Sequence, residues 1–144
     1  MKRRRAREYA LQMLFQLEFT TNGLPDKEFY RAFWAELPEE DDEDVKDFAQ
    51  RLVAGAVENM PDIDAAIKKT SEHWVIERMA AVDRNLIRIA GYEILYASEI
   101  PTAVTINEAL EIAKRFSTKE SASFINGILD NLAKKAIPPI KNKT

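Results

Sequence analysis

Hydrophobic residues recur along this chain at the three- and four-residue spacing of helices and nowhere alternate in sustained twos. Ala6, Ala10, Met13, Leu14 and Leu17 form the first stripe, and the stretch Glu8 to Phe19 reads as an uninterrupted helix. Thr20-Thr21-Asn22-Gly23-Leu24-Pro25 supplies stop signals, so that helix is predicted to end near residue 20. A shorter stripe, Phe29, Phe33, Trp34 and Leu37, begins after Pro25-Asp26 and stops at Pro38. Val45, Phe48, Ala49, Leu52, Val53, Ala56, Val57 and Met60 predict a third helix. Pro61 fits the first turn of a fourth, which carries Ile63, Ala66 and Ile67. Trp74 and Val75 lead into Ile76 to Ser98, the most hydrophobic segment, where apolar residues cover more than one face. A helix of that kind belongs at the centre of a bundle. After Ile100-Pro101, Thr105-x-x-Glu108 has capping-box spacing ahead of Ala109, Leu110, Ala113 and Phe116. Ser117-x-x-Glu120 repeats the device before Phe124, Ile125, Ile128, Leu129 and Leu132, and Pro138-Pro139 closes the last helix.

The pattern therefore predicts an all-α domain of about seven helices with short connections. Gly55, Gly91 and Gly127 fall inside helical stripes, where glycine costs about 1 kcal/mol against alanine. Close approach of a neighbouring helix is the expected reason at all three.

A length of 144 residues suits one domain and one core, and residues Lys141 to Thr144 are expected to fray. Cysteine is absent, which excludes disulfides, thiolate metal sites and cysteine nucleophiles. The single histidine, His73, leaves no two-histidine metal motif, and the scattered glycines form no phosphate-cradling loop. The expectation is a protein that is no enzyme and holds neither metal nor cofactor. No apolar run approaches the roughly 20 residues that span a bilayer, and the charged start leads into an amphipathic helix, so a cytoplasmic location is expected.

Charge changes the picture. The formal net charge is −3, yet the first seven residues carry Lys2, Arg3, Arg4, Arg5 and Arg7 and no acid. Guanidinium groups are planar, permanently charged forks suited to phosphate, which points to RNA; a solvated basic tail is the other reading. Eight acids stand against one lysine between Glu36 and Asp47, leading into the third helix. Helix capping explains them, with a cation site as the alternative. Asp83, Arg84 and Arg88 interrupt the most hydrophobic helix, and Asn126 sits beside Gly127 in the last. They read either as a buried hydrogen-bond network or intrahelical ion pair, or, for Asp83, as the rim of a partner site.

Three segments taken together carry a resemblance: Arg3-Arg4-Arg5-Ala6-Arg7-Glu8; Val82-Asp83-Arg84-Asn85-Leu86-Ile87-Arg88-Ile89-Ala90-Gly91-Tyr92-Glu93-Ile94; and Ile106-Asn107-Glu108-Ala109 with Phe124-Ile125-Asn126-Gly127-Ile128-Leu129-Asp130. In this order and spacing the chain resembles the NusB family of bacterial transcription antitermination factors, nearly end to end. The resemblance implies seven helices in two small bundles forming one compact domain over residues 1–138, with a flexible tail at 139–144. It implies no catalytic activity, and binding to boxA, a short single-stranded element of nascent ribosomal RNA. It further implies a heterodimer with NusE, a small-subunit ribosomal protein, that loads onto RNA polymerase with other Nus factors and suppresses termination.

Carried over by position, Arg3, Arg4, Arg5 and Arg7 match the family's arginine-rich motif, and Glu120 and Phe124 match positions implicated in RNA binding. Phe15 stands where relatives can have tyrosine and keeps an aromatic surface for stacking or partner contact without the hydroxyl, and Asp83 stands where the family has an acid facing NusE. About four phosphate contacts would give log K against log salt a slope of about −3. Domains similar to NusB also begin ribosomal RNA 5-methylcytosine methyltransferases, but with no cysteine to attack cytosine and no cofactor-binding domain expected, that enzymatic reading is not the one these residues favour. An interaction module or ribosome-assembly factor without sequence-specific RNA binding is the remaining alternative. A homodimer that covers the arginine-rich surface as a storage form also stays open.

Overall fold

Stop signals and helix starts sit close to where the stripes place them. The computed structural model describes residues 2–20, 22–71 and 76–135, apart from the Ile76 side chain. Among the described residues there are seven α-helices and no strand: α1 (Lys2–Leu17), α2 (Lys27–Ala35), α3 (Glu43–Glu58), α4 (Met60–Thr70), α5 (Ala81–Tyr96), α6 (Thr102–Phe116) and α7 (Lys119–Lys135). His73, Trp74, Pro138-Pro139 and the tail at 139–144 lie outside the described residues.

α1 ends because Thr20 turns its hydroxyl back onto the Leu17 carbonyl at 2.9 Å and accepts the Gly23 N–H at 3.1 Å, with Gly23 at φ 63°. That left-handed backbone favours glycine. Asp26 caps α2 by accepting the Phe29 N–H at 2.8 Å.

Three helix starts differ from the expectation. The segment expected to be helical from Ile76 begins as a single 3₁₀ turn, Ile76–Arg78, and α5 starts only at Ala81. Ala80 is extended, and the Arg84 guanidinium donates to the Met79 carbonyl at 2.8 Å outside the helix. Pro101 sets the start of α6, so Thr105 lies within the helix and caps nothing; its hydroxyl donates to Glu93 at 2.8 Å. At α7 the cap moves one residue on, with Thr118 Oγ1 accepting the Ser121 N–H at 3.0 Å.

α5 is central. It packs against α1, α3, α4, α6 and α7. Its Leu86, Ile87 and Ile89 are fully buried, together with Met13 and Leu14 of α1, Leu52 of α3, Ile63 and Ile67 of α4, Ile112 of α6 and Ile125, Ile128 and Leu129 of α7.

Glycine supports this packing at two of the three positions. A Cβ on Gly55 would overlap the Tyr92 ring, and one on Gly91 would come within 2.9 Å of Ile63 Cγ2. Gly127 is exposed and meets nothing within 4 Å, so close approach is not its reason.

Arg84 and Arg88 form ion pairs between helices rather than within α5. Arg84 makes two 2.8 Å bonds to Glu18, just beyond α1. Arg88 grips Asp64 of α4 at 3.0 and 2.9 Å.

Candidate nucleic-acid interface

The cations at the start of α1 stand at the positive end of the helix dipole, which disfavours them. Carboxylates brought by other elements offset this. Lys2 Nζ lies 3.0 Å from Asp42 and 3.3 Å from Asp44. Arg4 forms a two-pronged bond to Glu108 of α6, at 3.0 and 2.6 Å. Arg5 does the same with Asp41, at 2.8 and 2.9 Å, and the Tyr9 hydroxyl donates to that carboxylate at 2.8 Å. Arg7 is only 4% exposed, and donates to both oxygens of buried Glu93 at 2.8 Å. Arg3 is exposed, makes no ion pair among the described residues, and lies 4.0 Å above the Phe48 ring centroid.

Two sequence readings are corrected by this arrangement. Arg7 is not open to phosphate: it neutralises Glu93 inside the protein, and a buried charge without a partner is costly. The acidic run does more than cap α3. Glu43 and Asp44 sit in the first turn, but Asp42 makes no side-chain cap bond, and Asp41 turns towards α1.

The pairing shows in the carboxyl groups. Hydrogen bonds from Arg5, opposed by desolvation and aided by Tyr9, hold Asp41 well below the usual carboxylate range. Hydrogen bonding from Arg4 lowers Glu108 likewise.

The remaining predicted residues occupy other places. Phe15 is 38% exposed and contacts Phe19, with ring centroids 5.2 Å apart. It lines an open groove with Leu11, Val82 and Phe116, joined by Glu8, Gln12 and Gln16. Phe116 was missed; as an aromatic that closes the α6 stripe, it read as core, yet it is 40% exposed. Asp83 adjoins this groove through Val82 but is itself 4% exposed. Its carboxylate accepts from Ser117 at 2.8 Å and from Ser121 at 2.9 Å, pinning the start of α7 to α5. Glu120 is exposed in the first turn of α7, and Phe124 is half-buried one turn later. A second groove between α6 and α7 is lined by Leu110, Lys114, Lys119, Ala122, Ser123 and Asn126, adding two cations on that side. α6 joins the two regions, with Glu108 reaching Arg4, and Arg115 paired to Glu8 at 3.1 Å.

Sequence reasoning also missed Glu93 and Glu108 as partners of the arginines, and Tyr9 as a second donor to Asp41. Glu93 carried a signal, since an acid flanked by Tyr92 and Ile94 on the central helix requires a cation.

Residues 4–134 match the model of the NusB family. The chain is 49% identical over 143 residues to the transcription antitermination protein NusB of Thermodesulfovibrio yellowstonii, with 95% of each chain covered. It superposes on T. maritima NusB with a TM-score of 0.79 at 41% identity, covering 99% of this chain and 97% of that one. A crystal structure of antitermination factors NusB and NusE in complex with dsRNA has the same fold, at TM-score 0.79 and 24% identity, with 92% and 96% covered. A match of sequence and helix arrangement over nearly the whole length leads to one conclusion: this chain belongs to the NusB family.

Proposed function

We propose that the protein is a cytoplasmic, non-catalytic transcription antitermination factor. It binds single-stranded boxA RNA, pairs with NusE, and helps RNA polymerase read through terminators with other Nus factors. The observation that carries the RNA reading is the cationic start of α1, where Arg3 is open and Arg4 and Arg5 are only part-buried in an otherwise acidic protein. Arg3, Arg4 and Arg5 contact phosphates, while Glu120 and Phe124 receive unstacked bases. With Arg7 buried, three phosphate contacts replace four, and the expected slope of log K against log salt is about −2. Phe15 and its groove serve NusE directly. Asp83 serves it by fixing the start of α7 beside that groove.

Fluorescence anisotropy of labelled boxA-like RNA, against a scrambled sequence, at two salt concentrations and with or without NusE, tests this. Salt-sensitive, sequence-preferring binding that NusE tightens is the expected result. Equally weak binding to both RNAs, unmoved by NusE, leaves a helical interaction module instead.

A further inference from the structure

Lys2, Arg4, Arg5 and Arg7 are all paired to carboxylates, but the acids differ in what holds them. Glu93 is buried in α5 and Glu108 sits on α6. Asp41 and Asp42 lie in the connection between α2 and α3, which has no regular structure, and Asp44 is in the first turn of α3. We propose that this acidic segment is an internal competitor for RNA: Asp41, Asp42 and Asp44 hold Arg5 and Lys2 where the phosphates of a bound strand would, and RNA binds by displacing them. The proposal rests on the RNA-binding reading above.

Carboxylate and phosphate take the same guanidinium edge. Asp41 occupies Nε and Nη2 of Arg5, the fork that a bidentate phosphate uses. Both anions cannot hold that edge at once. Displacement leaves Asp41 supported, because the Tyr9 hydroxyl and the Asp42 N–H, each at 2.8 Å, still donate to its carboxylate. Arg7 offers no such exchange, since its departure would strand Glu93 in the interior with only the Thr105 hydroxyl.

The arrangement has a consequence for selectivity. Arg3 remains open for first contact, while part of the sequence-independent phosphate attraction is cancelled internally. Strands with no further contacts to offer are then held weakly.

The test compares boxA-like RNA binding by the wild-type chain, Asp41→Asn, the pair Asp42→Asn with Asp44→Asn, and Glu58→Gln. Glu58 is exposed at the far end of α3, so its variant removes one negative charge away from the arginines. The segment variants are expected to bind about two- to fivefold tighter, with Glu58→Gln unchanged. An affinity equal to or below wild type in the segment variants, or an equal rise in Glu58→Gln, overturns the proposal. If the wild type binds RNA and the segment variants do not improve, the proposal alone fails. If no folded form binds, the RNA reading fails with it.

A second measurement uses the wild-type chain: the Asp41 carboxyl titration, followed by NMR, should move up towards the ordinary range when RNA is added. A titration unmoved by saturating RNA also overturns the proposal.

Discussion

Arg3 and Arg7 stand one turn apart on α1, both over the Phe48 ring, at 4.0 and 5.4 Å from its centroid. Burial separates their roles. Replacing Arg7 by alanine strands Glu93 in the interior without its cation, so Arg7→Ala is expected to lower stability by about 3–5 kcal/mol in urea unfolding. Arg3→Ala removes an exposed side chain and should stay within about 0.5 kcal/mol of wild type while weakening RNA binding. If the two variants lost equal stability, the division would be wrong. The same distinction applies to Asp83. Its sequence position suggests a partner contact, whereas its two serine hydrogen bonds make it the pin between α5 and α7.

At the scale of elements, α1 is a helix whose own first turns work against it electrostatically. Its start is held by acids from the α2–α3 connection, α5 and α6. The glycines inside helices separate on the same principle of surroundings. Gly127→Ala adds a methyl group to open space in α7 and should stabilise by about 0.4–1 kcal/mol through helix propensity and unfolded-state entropy. Gly55→Ala drives a methyl group into Tyr92 and should destabilise by about 1–3 kcal/mol. Thermal denaturation of the two single variants reads both signs, and a shift of the same sign in both would contradict the packing described for α3 and α5.

Across the whole molecule, ion pairs link α1 and the turn that follows it to α5, α6 and the acidic connection. Asp41, Glu108 and Glu18 are each held below their ordinary range, chiefly by hydrogen bonds from Arg5, Arg4 and Arg84. A carboxyl depressed in the folded state contributes stability that is complete above its unfolded pKa of about 4, and this is lost as pH falls through the folded value. The melting temperature should therefore hold from about pH 7 to about pH 5 and decline below that, which circular dichroism can follow. Asp41→Asn should flatten part of the acid-side decline, because it removes one of the protonation sites.

The helical class, the number of helices among the described residues, the centrality of the α5 segment and the cationic start of α1 could all be read from the linear chain. These follow from spacing and local composition, which act over a few residues and are legible in one dimension. The family motifs were legible too, since they are strings. Which cations are open was settled by long-range packing instead. Arg3 and Arg7 have the same chemistry and lie on the same turn pattern, yet Glu93, 86 positions beyond Arg7, buries one of them. Likewise, Thr105 and Ser117 matched a local capping pattern, but their hydroxyls went to Glu93 and Asp83. A buried carboxylate must be satisfied by whatever donor the fold brings near, and at α7 the cap is left to Thr118 while Ser117 serves Asp83.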